Sequence, residues 1–189
     1  MPIKPYRQGD LDGLCGLYAL INASRLADRS LIRNEDDCQN VFQRALRWLA
    51  LNHKDFPVML CDGVAYDMLS SVHKQIFQTQ WPKITQHRPF QNNMPEENPQ
   101  GTRYFWSEMN RLAAQPNQAL LIGIGRSSMY PEDGMDHWSV VHEITKDKIV
   151  LFDSNRQRPL PRSICGPYEG NRVHYVIGPG YVLLLRKNI

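Results

Sequence analysis

The sequence predicts an α+β fold, with an N-terminal helical layer packed on a mostly antiparallel C-terminal sheet. Three observations carry this reading. Apolar residues recur every three or four positions in four segments ahead of Pro116. After Pro116 the helical spacing gives way to short apolar or alternating runs of strand type. The turn signals "TKDK" and "GPG" then separate strand-type runs by so few residues that the neighbours are expected to pair antiparallel. Helices followed by strands is the order of an α+β domain. The 189 residues suit a single domain, 1–189, large enough to bury a core without covalent staples.

The first helix is expected over residues 13–27, where Leu14, Leu17, Tyr18 and Ile21 share one broad face. Asp10, Asp12 and Gly13 are cap-type residues ahead of it. "EDDCQNVFQRALRWLALN" predicts a second helix, led by acidic residues that suit its positive end. "DGVAYDMLSSVHKQIF" predicts a third and "RYFWSEMNRLAAQ" a fourth. Between these two lies "QWPKITQHRPFQNNMPEENPQG", polar and holding four prolines, which reads as a long surface loop. Strands are expected at "ALLIGIG", at "HWSVVHEI" and "KIVLFD" joined by the "TKDK" turn, and at "RVHYVI" and "YVLLLR" as a hairpin around "GPG".

Composition excludes several function classes. The chain is 42% hydrophobic and 22% charged, ordinary for a globular protein. Its net charge of +3 is small and its Lys and Arg residues are scattered, so nucleic acid is not expected as a partner. No apolar run approaches the roughly 20 residues of a membrane span. The N-terminal "MPIKPYRQGD" lacks the apolar core of a signal peptide, which suggests a cytoplasmic setting. The four cysteines, Cys15, Cys38, Cys61 and Cys165, show neither zinc-ligand spacing nor a CxxC pair, and read as free thiols.

Cys15 stands apart from the others. In "QGDLDGLCGLYALINA" it sits where a glycine-containing loop turns into a helix. The free N–H groups and dipole of a helix start favour an anion, so a thiol there is suited to act as a thiolate nucleophile. Gly16 follows it, which would let the backbone approach a substrate closely. Such a nucleophile needs a base, and the base needs an orienting group. His137 opens a predicted strand, and Asp153 ends the next one sixteen residues later. In an antiparallel hairpin the start of one strand lies beside the end of the other, so topology makes the two neighbours. Cys38, inside a helix, and Cys61, before a probable cap, read as structural. Trp138 is expected to point away from His137 along the strand, with core packing as the default and an indole covering the site as the alternative. His142 should face the side opposite to His137. The acidic "YPEDGMD" before His137 reads as a solvated loop that, beside a real site, would favour basic substrates.

Cys15 in "CGLYALINA", His137 in "DHWSVV" and Asp153 in "LFDSN", in that order, resemble the papain-like cysteine peptidases. The nearest flavour is the bacterial branch with bacteriocin-leader peptidases and secretion-system toxin domains. The resemblance implies a Cys-His-Asp triad that hydrolyses a peptide bond in a protein or peptide substrate. It also implies an oxyanion donor at Gln8, seven residues before Cys15 where the commonest family spacing is six. It implies no metal and no organic cofactor, and for a toxin or effector acting in a target cytoplasm it implies a cognate immunity protein. "HWSVV…LFDS" also resembles the ubiquitin-like-protein proteases, whose cysteine follows the aspartate. That order would use Cys165, but the glycine after it and the proline two positions on do not suit a helix start. The same site could instead serve a deamidase, transglutaminase or amidase, or lie inactive in a papain-like binding module.

Overall fold

A computed structural model describes residues 4–8, 13–62, 64–128, 137–154 and 158–188. The helical half comes first. Helix α1 spans Cys15–Ala27, α2 Glu35–Asn52, α3 Phe56–Asp62 and α4 Tyr66–Val72. A π-helical turn over His73–Phe77 and a last short turn, α5 (Gln78–Gln80), continue α4. Strand β1 (Ile84–His87) and helix α6 (Pro99–Ala113) follow. The sheet is completed by β2 (Gln118–Arg126), β3 (His137–Ile144), β4 (Lys148–Leu151), β5 (Leu160–Pro161), β6 (Cys165–Gly166), β7 (Tyr175–Val176) and β8 (Val182–Lys187). Its main path runs β1-β8-β2-β3-β4-β5, antiparallel at each step. The β6–β7 pair at one end is parallel.

The α+β class and the antiparallel sheet agree with the sequence, but the layering differs. Helices cover both faces of the sheet. Alternation along β2 explains why. Ala119 and Leu121 face a core built with α1, α2 and α4. Leu120, Ile122 and Ile124 face a second core built with Phe105, Trp106, Met109 and Leu112 of α6. A central strand buried on both faces has no polar alternation, which is the pattern of "ALLIGIG".

Helix α2 starts as its sequence suggests: the Asn34 side chain accepts the Asp37 N–H at 2.8 Å. Helix α1 differs. Its N-cap is Leu14, with no side-chain cap bond. Asp10 and Asp12 lie outside the described residues. The entry is set instead by the Gly13 N–H, which donates to the Leu60 carbonyl of α3 at 2.7 Å. Every residue of α1 except Leu26 is buried. Its polar residues therefore find partners at once. The Asn22 side chain accepts the Tyr6 N–H at 2.7 Å and donates to the Tyr6 carbonyl at 3.0 Å. Arg25 Nη1 donates to the Lys4 carbonyl at 2.7 Å. Residues 4–8 are thus a strap laid along α1.

Three further expectations are corrected. The long loop contains a strand, β1, whose Ile84 is fully buried and whose residues pair with β8. Helix α6 begins at Pro99, ahead of the predicted start. Its cap is Asn98, which accepts the Gly101 N–H at 2.8 Å, and proline is at home in a first helical turn. The stretches around "GPG" do not pair with each other. The backbone makes a short 3₁₀ turn at Pro179–Tyr181, and β7 and β8 instead lie one after the other along β2. The nine residues of β2 are long enough to pair with both.

The π-helical turn places His73 in the core beside Phe77, with ring centroids 6.2 Å apart and nearly parallel. Its Nε2 has no hydrogen-bond partner among the described residues. Burial pushes its pKa down from 6.5 to about 4. The unfolded chain therefore takes up the proton first as the pH falls. The neutral His73 contributes stability above about pH 6.5, and that contribution is lost between about 6.5 and 4, with a slope approaching 1.4 kcal/mol per pH unit. Urea unfolding across this window is expected to show a flatter acid limb for His73→Phe than for the wild type. Parallel limbs would show that His73 does not drive the acid loss.

Candidate active site

Cys15 is the first residue of α1, and its buried thiol opens onto a cleft of about 680 Å³. The first N–H groups of a helix have no partner within it, so the helix start presents donors and a positive dipole beside the sulfur. The Trp138 backbone N–H donates to Cys15 Sγ at 3.4 Å. Gly16 has a packing role. A Cβ there would lie 2.8 Å from Leu69 Cδ2, so the missing side chain lets α4 pack against α1.

His137 opens β3 and is buried. Its Nε2 lies 2.7 Å from Asp153 Oδ2, and the ring is also hydrogen-bonded to Cys15. With Nε2 engaged by the carboxylate, Nδ1 is the nitrogen left for the sulfur. Burial alone would push the imidazole pKa down. The hydrogen bonds and charges of Asp153 and Cys15 outweigh it and raise it to about 9. At neutral pH the ring is an imidazolium held between the sulfur and a carboxylate.

A β-bulge puts Asp153 on the correct face. Near the turn Ile144 pairs with Ile149 and Glu143 with Val150, but further along Val141 pairs with Leu151. His142 is the extra residue. The shifted register continues with the Phe152 N–H donating to the Val140 carbonyl at 2.8 Å. It sets Asp153 across from Ser139, whose side chain shares the His137 face. Without the bulge Asp153 would lie across from Val140 and point to the other face.

The structure thus brings Cys15, His137 and Asp153 together. Gln8 lies at the end of the strap, where its backbone N–H donates to the Ser154 carbonyl at 3.2 Å, one residue from Asp153. It is not among the described residues that line the cleft. Cys165 lies elsewhere: its thiol donates to the Pro161 carbonyl at 3.3 Å, and burial pushes its pKa up to about 12. Cys38 is fully buried in α2 and pushed up to about 11, again by burial first. Cys15, Cys38 and Cys165 are free thiols. Residues 130–136, the acidic loop, lie outside the described residues, as does the Cys61 side chain. Among the described residues no group of three or more His, Cys, Asp or Glu is placed to hold a metal ion. No described helix is long and apolar enough to cross a membrane.

Sequence reasoning points to Trp138 at the site only as the alternative to core packing, and it missed Tyr66 and Tyr181 in the cleft lining. Trp138 turns toward it: its Nε1 donates to the Val64 carbonyl at 3.0 Å, and its ring lies near Tyr66 and Tyr181. Gly123, directly across from Trp138 on β2, makes this possible. A Cβ there would come within 3.1 Å of Tyr181 Cβ and 3.3 Å of the Trp138 ring. A glycine inside "ALLIGIG" was the available signal, since a gap in a strand marks the close approach of another group. The chain matches no family model, no curated protein and no solved structure.

Iodoacetamide at about pH 6 is expected to alkylate Cys15 well ahead of Cys38 and Cys165, because the thiolate is the reacting species. Peptide mapping by mass spectrometry reads the order, and His137→Ala should slow the Cys15 reaction. Equal rates at the three thiols would mean that Cys15 is not activated.

Proposed function

We propose that this protein is a cysteine peptidase of papain-like architecture that cleaves a peptide bond in a protein or peptide substrate. The observation that carries the reading is His137, hydrogen-bonded at once to Cys15 and to Asp153 at a cleft of about 680 Å³. In this scheme Cys15 Sγ attacks the carbonyl carbon and forms a thioester as the C–N bond breaks. The His137 imidazolium gives its proton to the leaving amine. Water then attacks the thioester, His137 takes the water's proton, and the thiolate is regenerated. Asp153 holds the ring with Nδ1 toward sulfur. The Cys15 N–H stabilises the oxyanion, and the Gln8 side chain, implied by the family resemblance but not among the described cleft-lining residues, is the second donor to be tested.

The direct test compares the N-terminal peptides of cells expressing the wild type and Cys15→Ala. New N-termini dependent on Cys15 are the expected result. Deamidated glutamines without new N-termini would replace hydrolysis by deamidation, and neither product would leave a binding module. With a cleaved substrate in hand, Gln8→Ala should lower kcat/KM on the order of 10²–10³-fold if its amide binds the oxyanion. A change under about threefold would assign that donor elsewhere.

The pH profile tests the base. The proton needed by the leaving amine is lost as His137 deprotonates, so kcat/KM should fall above about pH 9. Asp153→Asn removes a charge that raises the His137 pKa, so the alkaline limb should move to lower pH. An alkaline limb that stays in place would separate Asp153 from the reacting histidine.

A further inference from the structure

The cleft at Cys15 is lined by side chains of two kinds. One is aromatic. The rings of Tyr66, Trp138 and Tyr181 lie 6.1 to 6.3 Å apart, centroid to centroid. Tyr181 is 55% exposed, unusual for a large ring packed on two others. The Tyr66 ring already carries a cation from its own chain, with the Arg88 guanidinium 4.3 Å from its centroid. The surface is therefore one on which a cationic side chain can rest.

The other is anionic. Asp67 and Glu169 line the cleft, while no lysine or arginine is among its described lining residues. Asp67 is paired with Arg88 at 3.3 Å, so its charge is offset. Glu169 is different. It accepts the Ser128 N–H at 3.0 Å on one oxygen and the Ser128 hydroxyl on the other. These bonds hold its carboxyl below the usual range. Both donors are neutral, so the carboxylate keeps its full charge and is fixed in direction. The charge of the His137 imidazolium is offset by Asp153. An anionic cleft in a chain of net charge +3 is a local feature and does not follow from composition.

We propose that Glu169 and the Tyr66–Trp138–Tyr181 wall select a lysine or arginine in the substrate, beside the bond that Cys15 attacks. The aliphatic stem of such a residue lies on the rings and its cationic head meets the carboxylate. A leucine gains only the first contact, and a glutamate is repelled by Glu169. The assignment rests on Cys15 being the nucleophile of the proposed peptidase.

The test uses acylated dipeptide chloromethyl ketones with lysine, leucine or glutamate at either position, reacted with the full chain and followed by intact mass. The sulfur displaces chloride and forms a thioether, so the readout needs no natural substrate. At one position the lysine probe should modify Cys15 about tenfold faster than its leucine counterpart, the size expected of one exposed ion pair together with one cation–π contact. Glu169→Gln should bring that ratio close to one, and Glu169→Lys should invert the order of the lysine and glutamate probes. Tyr181→Ala should lower the lysine rate independently of charge. If Cys15 reacts with all three probes at similar rates, or if the ratio survives Glu169→Gln, the selectivity assignment is wrong while the peptidase stands. If Cys15 reacts with none of the probes, the nucleophile assignment fails and this one falls with it.

Discussion

The constraint on which the rest of the structure depends is the nearly complete burial of α1. A helix enclosed this fully must satisfy its polar groups inside the protein, since a buried donor or acceptor left alone costs about 1–3 kcal/mol. Ser24 does so locally, donating to the Leu20 carbonyl at 2.9 Å. Asn22 and Arg25 cannot, and they capture the backbone of Tyr6 and Lys4. The strap fixed in this way reaches Gln8 and the carbonyl after Asp153. A requirement at the middle of one helix thereby ties the N-terminal segment to the site. The start of the same helix borders the cleft, and the residue placed there is Cys15.

The site adds a second constraint. A histidine as buried as His137 would ordinarily be neutral at pH 7, as His73 is. The two differ in their neighbours. His73 stacks on Phe77 and its Nε2 meets no described polar partner, so burial decides. His137 meets a carboxylate at 2.7 Å and a thiol, and these reverse the sign. Removing Asp153 would therefore cost more than an orienting bond, because it would leave Cys15 alone to oppose the effect of burial on His137.

Much of this was legible in the sequence. Periodicity located α1 and α2, and the "TKDK" turn fixed which ends of β3 and β4 meet, which is why His137 and Asp153 could be paired in advance. What was not legible depends on counting single residues. The bulge at His142 decides which face Asp153 occupies, and "VVHEI" carries no mark of it because any residue can be the extra one. Likewise β7 and β8 read as a hairpin, since local turn chemistry says nothing of a third strand long enough to take both. The strand within the proline-rich segment was hidden because four residues with one buried side chain leave no pattern. The aromatic wall gathers residues 66, 138 and 181, which only the folded chain brings together.

The hydrogen bond that Cys15 receives from position 138 has one more consequence. The donor is main chain, so it survives any substitution there that keeps the strand in place. The side chain at 138 is left free to serve the cleft. One position thus supports the Cys15 sulfur with an atom common to all residues except proline, and shapes the cleft with atoms peculiar to tryptophan. An engineer could reshape the cleft at Trp138 while keeping the main-chain donor to Cys15, provided the replacement keeps its N–H.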